Sequence, residues 1–297
     1  MKNWSKVSKV IVGIIGGLVA IGGIGWIGLQ VPPANFPAPS EKAEDRGMVA
    51  APPDLPAPVR CYFAVAFHNQ VPRVESMVAW GRARANFGLW MPLRFHLYHQ
   101  PGQAFKREME VTWFGIPVLK ALDQYINGVG MTGPVGNAET GPQVNQGSNM
   151  ILWAEAPFYP SLLITDPHIR WEAIDETSAR LIFPFGAEED ELIYYFDPVT
   201  GLITYISAMR YQGSNAEKVG WRVEIQQWQT VDGGQVPLRV AITWANQSGP
   251  WSYWDFENIR WNVDLSQQLP TAAIDRPLRS AAQVQVNGRN GVWQPNP

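Results

Sequence analysis

The chain has almost no sulfur chemistry. Cys61 is the one cysteine among 297 residues, so no disulfide can form within the chain. Stability must come from burial, which a chain of this length can supply. Pro58-Val59-Arg60 before Cys61 is not a small-residue lipobox, so the thiol reads as inert and partly buried rather than lipid-modified. Charge is also scarce, at 16% of residues, and histidine occurs four times, at His68, His96, His99 and His168. There is no G-x-S-x-G elbow, no H-E-x-x-H pair and no Walker-type phosphate loop. These absences weigh against an enzyme without closing the question, and no cofactor is implied.

The apolar run 10–30, VIVGIIGGLVAIGGIGWIGLQ, carries no charge. As a helix it spans roughly 31 Å, close to the hydrocarbon thickness of a bilayer. Lys2, Lys6 and Lys9 precede it, and the next charge is Glu41. That asymmetry places residues 1–9 in the cytoplasm and everything after the span outside it, in a single-pass cell-membrane protein. A secretory signal peptide has the same layout. The run is longer than a typical signal core, however, and no small-x-small cleavage site follows it cleanly in VPPANFPAPS. Seven glycines would weaken this helix in water but are tolerated in lipid. Gly13-x-x-x-Gly17 offers a face for close pairing of two copies, and Trp26 suits an interfacial anchor.

Residues 31–60 are dense in proline and lack an apolar period, so they read as a stiff spacer. The globular part follows at 61–265, and the polar stretch 266–297 reads as a loosely held tail. Without the three leading lysines the chain carries 20 basic and 26 acidic residues, which argues against nucleic acid as a partner. Tryptophan is abundant, with 14 copies, and implies broad aromatic surfaces in a core or along a groove.

The body alternates as strands do. Leu93, Phe95 and Leu97 share one face, and Phe105, Met109 and Val111 (with Trp113) share another, broken only by Arg107. Gln100-Pro101-Gly102-Gln103 between them predicts a hairpin over 89–113. Further pairs are expected over 169–183, 192–211 and 221–244, with a last strand in 251–265. Together they make one meandering antiparallel sheet, open or partly closed. Helices are expected at 65–84, with Pro72 in the first turn, and at 143–155. Residues 116–131 fit helix or strand. The fold class is therefore α+β, mainly β, with a few helices covering a sheet.

The order of several short motifs resembles a widespread bacterial family of unknown function whose members are often membrane-anchored. They are Asp123-Gln124-Tyr125, Gly128-Val129-Gly130, Trp153 to Ser161, Trp171 to Asp175, Ser178-Ala179-Arg180, Arg210, Gly233 to Pro237, Trp244 and Tyr253-Trp254. The resemblance covers about 55–265 and brings no activity with it. A strand, a glycine turn, a strand bearing arginine, a tryptophan and a turn ending Val-Pro also look like the lipoprotein-carrier and lipid-binding proteins of bacterial envelopes. That looser likeness implies a curved half-barrel whose concave side takes an apolar ligand, a lipid or acyl chain. Phe95, Phe105, Met109, Trp113, Trp153, Trp171 and Trp244 are the candidates to line it.

Glu155 stands among aromatic residues. There it either acts as an acid or base, or pairs with an arginine, Arg94 or Arg210. Asp166 and His168 could form an acid–base pair. His96 and His99 fall on opposite faces of a strand, which argues against a shared metal. Glu188 to Glu191 reads as a solvated turn rather than a calcium loop. The rival functions are an envelope scaffold that binds another protein and, behind it, a hydrolase using Glu155 or Asp166 with His168.

Overall fold

The glycine-laden run is helical from end to end. In the computed structural model, which describes residues 4–37 and 43–269, helix α1 spans Trp4–Gln30. Its stretch Ser8–Gln30 reaches a mean hydropathy of 2.3 over its most apolar eighteen residues, none of which is buried in the protein, whereas Gly28 in the last turn is buried. Length and composition fit a membrane anchor or a signal sequence. Gly13 and Gly17 face open space.

Residues 31–60 are expected as a spacer; those described make contacts along the fold. The Ala34 carbonyl accepts a hydrogen bond from Arg94 Nη1 at 3.2 Å. Phe36 stacks on His96 with ring centroids 4.2 Å apart, and Asn35 donates to Glu257. Beyond 38–42, the Glu44 amide donates to the Asn262 carbonyl at 2.9 Å. A short strand, β1 (Met48–Ala50), then pairs with β2 (Gln70–Pro72). Between them, α2 (Ala57–Phe67) starts on a proline turn and stops at His68, whose φ of 52° lies in the left-handed region.

The helix expected over 65–84 is not formed. Val71 and Pro72 lie in β2, and Met77–Asn86 is a strand, β3. Its residues Met77, Ala79, Ala83 and Ala85 face the core at a period of two, and long-range pairing on both sides overrides the local three-to-four spacing. The ambiguous stretch 116–131 is a hairpin. The expected first hairpin is present as β4 (Trp90–Gln100) and β5 (Ala104–Trp113). It continues into β6 (Ile116–Ile126) and β7 (Val129–Pro134).

Next comes α3 (Pro142–Ala154), where the sequence placed a helix. A 3-10 turn (Ala156–Phe158) and a four-residue α4 (Leu162–Thr165) follow. The remaining hairpins are β8 (Arg170–Ala173), β9 (Ser178–Phe185), β10 (Glu188–Phe196), β11 (Ile203–Tyr211), β12 (Lys218–Val231), β13 (Gly234–Trp244) and β14 (Pro250–Trp261). Glu188 to Glu191 is strand and not turn, because it pairs with 182–185 of β9. Residues 266–269 end the described chain with Leu269 buried; the rest of the expected tail lies outside the described residues.

All twelve strands β3 to β14 form one antiparallel sheet, ordered β7-β6-β5-β4-β3-β14-β13-β12-β11-β10-β9-β8. It consists of two meanders joined where β3 pairs with β14. The N-terminal arm, β3 to β7, steps outward to one edge. The chain then crosses through α3 to the other edge and returns as the C-terminal arm, β8 to β14. At the joint, Gly81 sits against a bulge in β14; a Cβ there would lie 1.9 Å from the Asp255 carbonyl oxygen. The sheet is curved and does not close, and α3 touches β6 and β7 on one side and β9, β10 and β11 on the other.

Candidate functional site

The inner face of the curved sheet is built by strand alternation. Leu93, Phe95, Leu97 and His99 of β4 point inward, as do Phe105, Arg107 and Val111 of β5. Across the joint come Trp254, Phe256 and Trp261 of β14, Trp244 of β13 and Trp221 of β12. Leu192, Tyr194 and Phe196 of β10 complete it. The segment 142–165, α3 to α4, covers this face as a roof. Trp153 stacks on Phe183 at 5.2 Å, Phe158 lies 4.1 Å from Phe256, and Trp261 Nε1 donates to the Phe158 carbonyl at 2.8 Å.

The candidate lining residues take different places. Phe95 is fully buried against Trp254 and Phe256, and Phe105 stacks on His99. Trp153 belongs to the roof and is 1% exposed. Met109 is half-buried at the edge of the same core. Trp171 of β8 packs edge-on to Tyr194 and donates to the Leu163 carbonyl at 2.9 Å. Trp244 packs beside Trp221. Trp113 is apart from all of these; it is exposed at the β5–β6 tip and donates from Nε1 to the Gly25 carbonyl of α1 at 3.1 Å. Phe95, Phe105, Trp153, Tyr159 and Phe183 fill the space between sheet and roof with their own rings.

A polar cluster sits inside this apolar face. Glu155, at the end of α3, accepts from Arg107 of β5 and from His99 Nε2 of β4 at 2.6 Å. Arg107 Nη1 also reaches Asp123 of β6 at 3.5 Å, and Asp123 accepts from Thr132 of β7. The Arg107 guanidinium lies 5.0 Å over the Trp254 ring. The pairing expected of Glu155 with Arg210 or Arg94 is not formed. Arg94 points to the outer face, where it meets Glu110 at 2.7 Å. Arg210 of β11 donates to the Gly147 carbonyl of α3 at 2.8 Å and lies over the Trp221 and Trp244 rings. Arg107 takes the place instead, because β5 alternation carries its side chain inward between Phe105 and Met109. A lone arginine interrupting an apolar strand face was the sequence signal for it.

Burial pushes the His99 imidazole below its ordinary value against the pull of Glu155, so it is neutral, donates from Nε2 and leaves buried Nδ1 without a partner. Burial works to raise the Glu155 carboxyl, but the Arg107 charge and the His99 hydrogen bond outweigh it and hold it below the usual carboxylate range. Burial lowers Arg210 to about 10, which leaves it charged at neutral pH. Burial also raises the Tyr159 hydroxyl well above its ordinary value, and this hydroxyl donates to the Leu152 carbonyl. The cluster therefore ties roof to sheet: neutral His99 and cationic Arg107 both hold one carboxylate. Further polar ties are Asn145 Oδ1 with the Gly130 amide at 2.7 Å, Gln146 with Asp190 at 3.0 Å and Asn149 with the Pro184 carbonyl at 3.1 Å. Gly130 is required where β7 meets α3; a Cβ there would lie 2.6 Å from the Val144 carbonyl oxygen.

The other candidates lie apart. His96 is on the outer face with Phe36, Trp80 and Tyr98, opposite His99 as alternation requires. Asp166 and His168 do meet, at 3.0 Å, in the exposed loop after α4. Cys61 is exposed on α2 and not partly buried, because α2 turns Tyr62 and Phe63 to the core. On the outer face, a trough of about 650 Å³ over β10 to β13 is lined by Ile193, Ser207, Met209, Arg222 and Thr243, among others.

Comparison with known proteins gives a family and a distant set of folds. Residues 48–256 match the model of a family of unknown function, DUF6544. No curated protein matches. Among solved structures, a LolA superfamily protein from Nitrosomonas europaea is similar at 13% identity and a TM-score of 0.39, over 72% of this chain and 94% of that one. A DUF1329 family protein from Desulfovibrio piger is similar at 12% identity and a TM-score of 0.40, over 71% and 92%. At these scores the likeness carries no argument about function.

Proposed function

We propose, for a chain that belongs to the DUF6544 family of unknown function, that it is a single-pass, membrane-anchored, extracytoplasmic protein that binds a lipid or acyl chain. The ligand takes the inner face of the sheet when the roof α3–α4 lifts. The observation that carries this reading is the composition of the roof's seat. The sheet below is aromatic and apolar, yet the roof is tied to it by Arg107, His99 and Glu155 and by Arg210 with Gly147. Gln146, Ser148 and Asn149 of α3 are buried too.

A cover made only to be permanent is sealed by apolar side chains, since a buried ion pair adds little over packed hydrocarbon. A polar seam regains hydration when it parts, so this segment is the part of the core that opens at least cost. The apolar face so uncovered matches an acyl chain, whose binding is driven by removal of apolar area from water. Glu155 serves as a tie in this reading, its carboxylate being shared by two donors.

Native mass spectrometry of the full chain, delipidated in detergent and then exposed to a phospholipid extract, tests the proposal. One retained acyl lipid per chain is expected, with retention changed by Arg107→Ala. A chain that emerges free of lipid at every extract concentration contradicts it.

A further inference from the structure

The end of the sheet that carries the β3–β4 and β5–β6 turns is apolar in an unusual way. Phe87 and Leu89 project from the first turn, and Trp113, Phe114 and Ile116 from the second; all are exposed, Leu89 by 65% and Ile116 by 66%. Val118 and Leu119 extend the patch along β6, and Val135 joins it beyond β7. Both turns lie at one end because β4 and β5 pair antiparallel, with Leu93 opposite Val111. Contiguous apolar surface of this kind marks a contact site.

The last turns of α1 dock on this patch. Phe114 donates its amide to the Gly28 carbonyl at 2.9 Å, and Trp113 bonds the Gly25 carbonyl. A Cβ on Gly28 would strike the Trp113 and Phe114 rings, so glycine permits the contact. The apolar stretch Ser8–Gln30 is 23 residues long, about 34 Å of helix against a hydrocarbon core of about 30 Å. If the stretch spans, Gly25 to Gln30 therefore lies at the outer boundary of the bilayer, with Trp26 at the depth favoured by indoles. Trp113, whose indole bonds the Gly25 carbonyl, and Phe114, whose amide bonds that of Gly28, lie at the same depth.

We propose that the β3–β4 and β5–β6 tips, led by Leu89, Phe87, Trp113, Phe114 and Ile116, insert into the outer leaflet beside the helix, so that the sheet stands end-on to the membrane. The occupant of the patch is the lipid surface itself. This rests on the anchored reading of α1. It sets the inner face and its roof beside the leaflet from which an acyl ligand would come.

The test uses the full chain carrying Cys61→Ser, reconstituted in phosphatidylcholine vesicles, with a polarity-sensitive fluorophore on single cysteines. Leu89→Cys and Ile116→Cys report on the tips, Ser214→Cys and Asn246→Cys on polar turns at the same end of the sheet, and Ile15→Cys on the span. Blue-shifted emission, quenched by lipid carrying a spin label near the headgroup, is expected at 89 and 116 and absent at 214 and 246. A lipid signal at 15 with water-like emission at 89 and 116 overturns the tip proposal and leaves the anchor standing. Water-like emission at all five positions overturns both.

Discussion

The two arms of the sheet terminate very differently at the same end of the strands. In the N-terminal arm the turns expose Phe87, Leu89, Trp113, Phe114 and Ile116, and α1 rests on them. In the C-terminal arm the corresponding turns are Gly186-Ala187, Gln212 to Glu217 and Ala245 to Gly249, with no large apolar side chain. One sheet, one end and one backbone geometry thus carry two surfaces. Fold does not require exposed aromatics on hairpin tips, so the N-terminal tips answer to something outside the sheet. The roof repeats the asymmetry. Its charged tie to the N-terminal arm is an ionic cluster around Glu155, while its charged tie to the C-terminal arm is Arg210, which lies over two indoles and donates to a carbonyl.

The largest effect is expected where the N-terminal tie is cut. Arg107→Ala leaves the Glu155 carboxylate buried without its cation and costs about 3–5 kcal/mol in denaturant unfolding. Arg210→Ala removes a charged hydrogen bond to a carbonyl and costs about 1–3 kcal/mol. Equal losses at the two positions would erase the difference between the ties.

Acid weakens the N-terminal tie next. His99 is held below its ordinary value of 6.5, so below that pH the unfolded chain takes up the proton and the folded chain resists it. Glu155 is held below its ordinary 4.5, so lower still the unfolded carboxyl protonates first. Both linkages have the same sign: stability present at neutral pH falls as pH drops through 6.5 and again below 4.5. His99→Gln is expected to flatten the upper part of that fall in melts recorded between pH 5 and 7. An unchanged slope would show that His99 does not titrate with unfolding.

Smaller effects belong to the tips. Gly28→Leu is expected to displace α1 from Trp113 and to raise hydrogen exchange at the Phe114 amide, leaving the core strands protected. Leu89→Ser and Ile116→Ser lie on the surface and are expected to change unfolding stability by no more than about 0.5 kcal/mol.

Much of the architecture was legible in residue alternation and turn chemistry. The hairpin around Pro101-Gly102, the Asp197 to Gly201 turn and the Asp232-Gly233 turn all stand where those residues place them. The failures are long-range. Met77–Asn86 looked helical because Val71, Val74 and Val78 fall three to four apart, and only its pairing with β4 and β14 makes it a strand. α2 was missed because its proline start sits in a stretch that reads as linker. At the site, Glu155 was visible as a carboxylate among aromatics, but its partners lie 48 and 56 residues away. Distance along the chain carries no sign of them; Arg107 on an apolar strand face was the one local hint.

Hydrogen exchange of the full chain in lipid nanodiscs, with and without added palmitate, bears most directly on the roof. The lifting roof predicts that α3 amides exchange through an opening well below the global unfolding energy, while β4 and β14 stay protected, and that palmitate, by binding the lifted state, speeds α3 exchange selectively. Exchange of α3 only together with the core strands, unaffected by palmitate, would contradict it.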